Sequence, residues 1–202
     1  MAVVLYDNPV SGNCYKVRLL LHLLGIEFER RELSVIDHSD RERVLGGLSP
    51  SLNVPTVVLE DGRPLAESNA ILWYFADGTD YLPNDLYQRA QVLQWMFFEQ
   101  YKHEPAIAVV RFWVAIAGAE PPAGVDIEAR RASGNAALAA MEQHLMDDRR
   151  YLVGDRFTIA DIALYAYTHV APEGGFDLDP YPAVRAWLAR IAGRPGFVPI
   201  AA

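Results

Sequence analysis

The chain has 202 residues, 51% of them apolar and 22% charged, which suits one or two packed domains and excludes a disordered or low-complexity protein. Acidic residues outnumber basic ones by 26 to 18, and the pI is near 5.1. This balance disfavours nucleic acid or an anionic membrane as partner. Cys14 is the single cysteine, so no intramolecular disulfide can form, as suits a reducing compartment. The N-terminus lacks a charged segment followed by a long apolar one, and no run reaches about 18 apolar residues. A cytoplasmic protein without a membrane span is therefore expected.

Ala2-Val3-Val4-Leu5-Tyr6 is a short β-branched run stopped by Asp7-Asn8-Pro9, which predicts a buried strand. From Cys14 to Leu24, Val17, Leu20, Leu21 and Leu24 recur at helical spacing, and Gly25 follows as a stop. Leu19 and Leu23 widen the apolar face, so this helix is expected to be covered on more than one side. Phe28 to Leu33 reads as a half-exposed strand, and Asp37 to Arg43 as a loop running into a short helix. Thr56 to Leu59 and Pro64 to Ala66 flank Asp61-Gly62, which predicts a hairpin. Glu67 to Phe75 is then helical, with Ile71, Leu72 and Phe75 on one face.

The composition changes after Asp77. Residues 78–84 are linker-like, and no convincing strand follows. A long helix is predicted from Tyr87 to about Gly118, with Val109, Phe112, Trp113 and Ile116 at helical spacing. Three more follow, over Ile127 to Met146, Thr158 to about His169, and around Val184 to Ile191. The order β-α-β-α-β-β-α followed by helices defines an α/β plus all-α chain. Its expected parts are an α/β domain over 1–77, a linker over 78–86 and an all-helical domain over 87–202.

Three short motifs carry chemistry. Ser11-Gly12-Asn13-Cys14 lies between the first strand and the first helix. A helix N-terminus favours negative charge, so a thiolate placed there is stabilised, and a hydroxyl donating to the sulfur lowers its pKa further. The plainer reading is that Ser11 or Asn13 caps the helix. Asn53-Val54-Pro55-Thr56 places a proline before a strand, in either peptide isomer. Glu67-Ser68 opens the third helix, where Ser68 and the helix amides suit a carboxylate and Glu67 suits an ammonium. Phe157-Thr158-Ile159-Ala160-Asp161 fits a capping box and reads as structural.

In this order and spacing the motifs resemble those of the cytosolic glutathione S-transferase family, over essentially the whole chain. The subgroup resembled is a bacterial Ser-type, theta- or nu-like one. The Glu67-Ser68-Asn69-Ala70-Ile71 stretch, thirteen residues after Pro55, is the most specific match. The resemblance implies a thioredoxin-like N-terminal domain with a mixed four-stranded sheet and a C-terminal helical bundle. It implies glutathione as co-substrate, with its thiol activated by Ser11 or, as in some bacterial members, by Asn13. Cys14, as in Cys-type classes, and Tyr6, as in Tyr-type classes, are competitors for that role.

The same resemblance implies a cis Val54–Pro55 bond, with Val54 pairing its backbone with the cysteinyl part of glutathione. It further implies that Asn53, Val54, Pro55, Glu67 and Ser68, with Ser11, form the glutathione site. Members often carry a basic side chain just before the Val-Pro pair. Asn53 brings no charge, so His38 and Arg41 become candidates for the cation at the glycine end, though each also reads as part of a surface loop. The second substrate is expected to be a small hydrophobic electrophile or a peroxide, held between the domains with Tyr101 and Arg111 nearby. His103 has no companion at metal-ligand spacing, so no metal is expected. A homodimer through the long helix is implied. The alternatives are a glutathione-dependent disulfide oxidoreductase using Cys14 or Asn13, and a non-catalytic binding module on the same fold.

Overall fold

The computed structural model describes residues 2–146 and 149–201. They divide into two compact units, Met1–Asp77 with Pro195–Ala202, and Gly78–Arg194. The C-terminal stretch, expected with the helices, thus belongs to the first unit.

The first unit is built on β1 (Val3–Asp7), β2 (Phe28–Glu32), β3 (Thr56–Val58) and β4 (Pro64–Ala66), in the order β2-β1-β3-β4. β1 pairs parallel to β2 and antiparallel to β3, and β3 pairs antiparallel to β4. Strand side chains alternate between faces, and β1 uses both. Val3 and Leu5 join Val57 and Leu59 in a core shared with α1 (Gly12–Leu24) and α3 (Ser68–Ala76) through Val17, Leu21 and Ile71. Val4 and Tyr6 point to the other face, where Leu45 of α2 (Arg41–Leu45) packs. A central strand covered on both faces explains the unbroken apolar run at the N-terminus.

Ser11 caps α1 with extended backbone, and Gly25 ends it at φ 66°, donating back to the His22 carbonyl at 3.0 Å. The C-terminal stretch is held by two polar side chains of α1. Tyr15 donates its hydroxyl to the Val198 carbonyl at 2.7 Å, and Arg18 donates to that of Ile200 at 2.8 Å. Arg18 is buried, pairs with Asp7, and donates to the Asn8 and Pro9 carbonyls at 3.0 and 3.1 Å. The loop from β1 to α1 is thereby fixed by a guanidinium.

The second unit holds α4 (Leu86–Phe98), α5 (Glu104–Arg111), α6 (Ile127–Leu145), α7 (Ile159–Thr168) and α8 (Pro182–Ala192). The single long helix expected from Tyr87 is interrupted by two π-helical segments, Glu99–His103 and Phe112–Ile116. Pro105 accounts for the first. A proline has no amide to donate, and its ring crowds the carbonyl four residues earlier, so the turn just before it widens. Asp161 organises the other end. Its carboxylate accepts from Leu152 N, Thr158 N and Trp187 Nε1 at 3.0, 2.9 and 2.9 Å, tying α7 to α8. Among the described residues, no helix is long and apolar enough to cross a membrane, and no His, Cys, Asp and Glu side chains cluster as metal ligands.

Candidate functional site

The strand register gathers the motifs. Thr56 pairs with Tyr6 on one side and Ala66 on the other. The turn before Thr56 therefore lies beside both the loop leaving β1 and the step from β4 into α3. That turn contains a cis Val54–Pro55 bond, the isomer the resemblance implies. The Thr56 hydroxyl donates to the Asn53 carbonyl at 2.8 Å and closes the turn, while Asn53 is exposed and Val54 half-buried.

Two helix N-termini meet here. Ser11 Oγ accepts from Cys14 N at 3.3 Å, which uses a lone pair and leaves the hydroxyl proton to be donated elsewhere. α3 starts at Ser68, whose hydroxyl donates to Asn13 Oδ1 at 3.3 Å across 55 residues of sequence. Neither helix has an acidic residue in its first turn, and the acidic Glu67 stands at the N-cap position of α3. Glu67 precedes α3 at φ 70° and does not cap the helix with its side chain; its Oε1 accepts from Ser51 Oγ at 3.2 Å. The Ser11 and Glu67-Ser68 motifs and the cis proline thus lie together at one end of the sheet.

The competitors for thiol activation separate. Tyr6 is packed in the core, and its hydroxyl accepts from Arg31 at 3.3 Å. Cys14 is fully buried. Burial pushes its thiol up to about 12, the Asp7 carboxylate adds to the effect, and the Ser11 hydrogen bond opposes it in part. A thiol of this kind is neither exposed nor ionised at neutral pH. In the glutathione-conjugating activity that the resemblance implies, Cys14→Ala should leave rates within about twofold of wild type, because a buried protonated thiol contributes packing alone. Steady-state rates of the variant check this, and loss of most activity would return Cys14 to the reaction.

Two expectations need correction. Arg41 is buried rather than on a surface loop. Its guanidinium donates to the Leu52 and Ser34 carbonyls at 3.2 and 2.5 Å, and burial lowers its pKa. It therefore holds the loop just before Asn53 instead of presenting charge at the surface. His38 is exposed, 3.2 Å from the Val35 carbonyl. Arg111, expected beside a second substrate, is buried in the helical unit with Nε donating to Glu173 at 2.7 Å, because a cation there requires a carboxylate. Tyr101 stands 77% exposed and lines an open groove of about 530 Å3 with Phe98, Lys102, Pro105 and Arg130.

Sequence reasoning missed Lys16. It is fully buried, and its Nζ donates to Ser68 Oγ at 3.3 Å. Its only local signal is a charge between Tyr15 and Val17 in an otherwise apolar helix face.

Comparison with known proteins agrees with this geometry. Residues 10–77 match the profile of the glutathione S-transferase N-terminal domain, and residues 107–195 that of the C-terminal domain. A glutathione S-transferase from Pseudomonas fluorescens Pf-5 is 45% identical, and its crystal structure superposes with a TM-score of 0.89 over 99% of each chain. Glutathione S-transferase D7 from Anopheles gambiae is 33% identical over 94% of this chain and 86% of its own. Elongation factor 1-gamma from Artemia salina is 32% identical over 84% of this chain, which spans 40% of that protein. More distant matches are the disulfide-bond oxidoreductase YfcG from Escherichia coli K12, at 28% identity over 95% of this chain and 90% of its own, and a Pseudomonas putida glutathione transferase. The latter, with one glutathione disulfide bound per subunit, is 26% identical over 96% of this chain and 88% of its own, with a TM-score of 0.80. With both halves matched in order, and a 33% identical relative covered over most of its length, the chain belongs to the glutathione S-transferase family.

Proposed function

We propose that this protein is a Ser-type glutathione transferase that binds glutathione on the first unit and activates its thiol at the start of α1. The observation that carries the reading is the convergence of two helix N-termini, joined by the Ser68–Asn13 hydrogen bond, beside the cis Val54–Pro55 turn. Ser68 and the start of α3 take the γ-glutamyl carboxylate, and Glu67 takes the ammonium. Val54 offers backbone groups to the cysteinyl part, and Asn53 lies toward the glycine end. Ser11 donates its hydroxyl proton to the sulfur, while the α1 dipole favours the thiolate over the thiol. The helical unit is assigned the second reactant, a small hydrophobic electrophile or a peroxide. The bond to sulfur forms as the leaving group departs, and the protein supplies activation and alignment.

A disulfide oxidoreductase is the second reading, favoured by the similarity to YfcG. The burial of Cys14 speaks against the cysteine version, so Asn13 is assigned to the sulfur in this second reading. The assignment of a homodimer draws on Leu86, Leu93, Phe97 and Tyr101, which are exposed at helical spacing along the long helix. The place of action assigned is the cytoplasm.

Calorimetric titration with glutathione tests the reading. Saturable binding at one site per chain is expected, weakened about tenfold or more by Ser68→Ala, since a hydrogen bond to a charged group is lost. No binding at millimolar glutathione would overturn the transferase assignment.

A further inference from the structure

The chain carries 16 arginines and only two lysines, Lys16 and Lys102. Lys102 is exposed, whereas Lys16 is 0% exposed inside α1, flanked by Tyr15, Val17 and Leu20 in the core of the first unit. A methionine or leucine would fill that volume without the cost of burying an ammonium. What the ammonium touches is specific: Nζ donates to Ser68 Oγ at 3.3 Å, directly beneath the first residue of α3.

We propose that Lys16 is the buried charge that makes this site select a ligand bearing an α-carboxylate, acting through Ser68. This rests on the glutathione reading above. A serine hydroxyl has two lone pairs and one proton. Lys16 occupies a lone pair from below, so the proton points away from Nζ, on the side where it now meets Asn13 Oδ1. An arriving carboxylate takes that proton in place of Asn13. Its oxygen then lies about 2.7 Å from Ser68 Oγ and so within roughly 6 Å of the ammonium, a range over which opposite charges attract strongly when water is excluded. A buried charge is screened little by salt, unlike a surface lysine. A compact ammonium also fits beneath a single hydroxyl, which the planar guanidinium fork does not. Lys16 is thus a positioning residue: it orients the Ser68 proton and supplies charge without touching the ligand.

The test compares glutathione with its decarboxylated analogue, in which 4-aminobutyryl replaces γ-glutamyl, by calorimetry on wild type and Lys16→Met. Wild type is expected to prefer glutathione strongly, and the variant to lose about tenfold or more of that preference, mainly through weaker glutathione binding. A variant that keeps the wild-type preference overturns the proposal. Should Lys16→Met fail to fold, 15N-lysine spectra in a Lys102→Arg background give a single lysine signal. That signal is expected to move with glutathione and not with the analogue, and equal response to both overturns the proposal. Wild-type protein that binds both ligands equally keeps the glutathione reading and overturns this one; protein that binds neither overturns both.

Discussion

Alanine at Ser11 is expected to lower kcat/KM for conjugation by about ten- to a hundredfold, the worth of one hydrogen bond to a charged sulfur. The Ser11 hydroxyl accepts from Cys14 N at 3.3 Å, and its proton is the one assigned in the proposed function to the ligand sulfur. The γ-glutamyl and backbone contacts assigned to Ser68, Glu67 and Val54 do not involve it. Glutathione affinity should therefore stay within a few-fold while the chemical step slows, a split that separates activation from binding. The same substitution removes the α1 cap and should cost about 1 kcal/mol of stability, so rates are compared below the unfolding transition. An unchanged rate in Ser11→Ala, with a large loss in Asn13→Ala, would move thiol activation to the amide.

Alanine at Asp161 should destabilise the fold by about 3–5 kcal/mol without touching the chemistry. Four buried donors, Leu152 N, Thr158 N, Thr158 Oγ1 and Trp187 Nε1, lose their acceptor, and a stranded group costs about 1–3 kcal/mol. The effect should depend on pH. Burial pushes the Asp161 carboxyl up to about 6, against the hydrogen bonds it accepts. A folded pKa above the unfolded one means that the folded state binds the proton more tightly. That stabilisation is complete below the unfolded value of about 3.9 and is lost as pH rises through about 6. The stability gap between wild type and Asp161→Ala should thus be roughly 2 kcal/mol wider near pH 4.5 than near pH 7.5. Urea unfolding at the two pH values measures it. A gap that is constant or wider at the higher pH would contradict this assignment.

Much of the first unit was legible because its signals are local. β1 is an unbroken apolar run ended by Asp7-Asn8-Pro9, and the hairpin announces itself at Asp61-Gly62, with Gly62 at φ 86°. The start of α1 at Ser11 and of α3 at Ser68 follows from capping and dipole chemistry that neighbouring residues express. What stayed hidden depends on partners distant in sequence. The charge of Lys16 becomes meaningful only once Ser68 is placed over it, and Arg41 reads as a loop residue until the Ser34 and Leu52 carbonyls surround it. Arg111 looked like a ligand group because Glu173, 62 residues away, gives no local sign of pairing with it. The widened turn before Pro105 was in principle readable, since a proline inside a helical pattern always disturbs the preceding turn. The return of the C-terminal stretch to the first unit depends on Tyr15 and Arg18 finding carbonyl acceptors, which no periodicity reveals.

Ultraviolet absorbance of the thiolate, followed against pH for glutathione bound to the wild-type protein, tests thiol activation at the start of α1 most directly. A sulfur pKa at least one unit below the roughly 8.5 of a free thiol is predicted. A bound sulfur that titrates at or above the free value would contradict it.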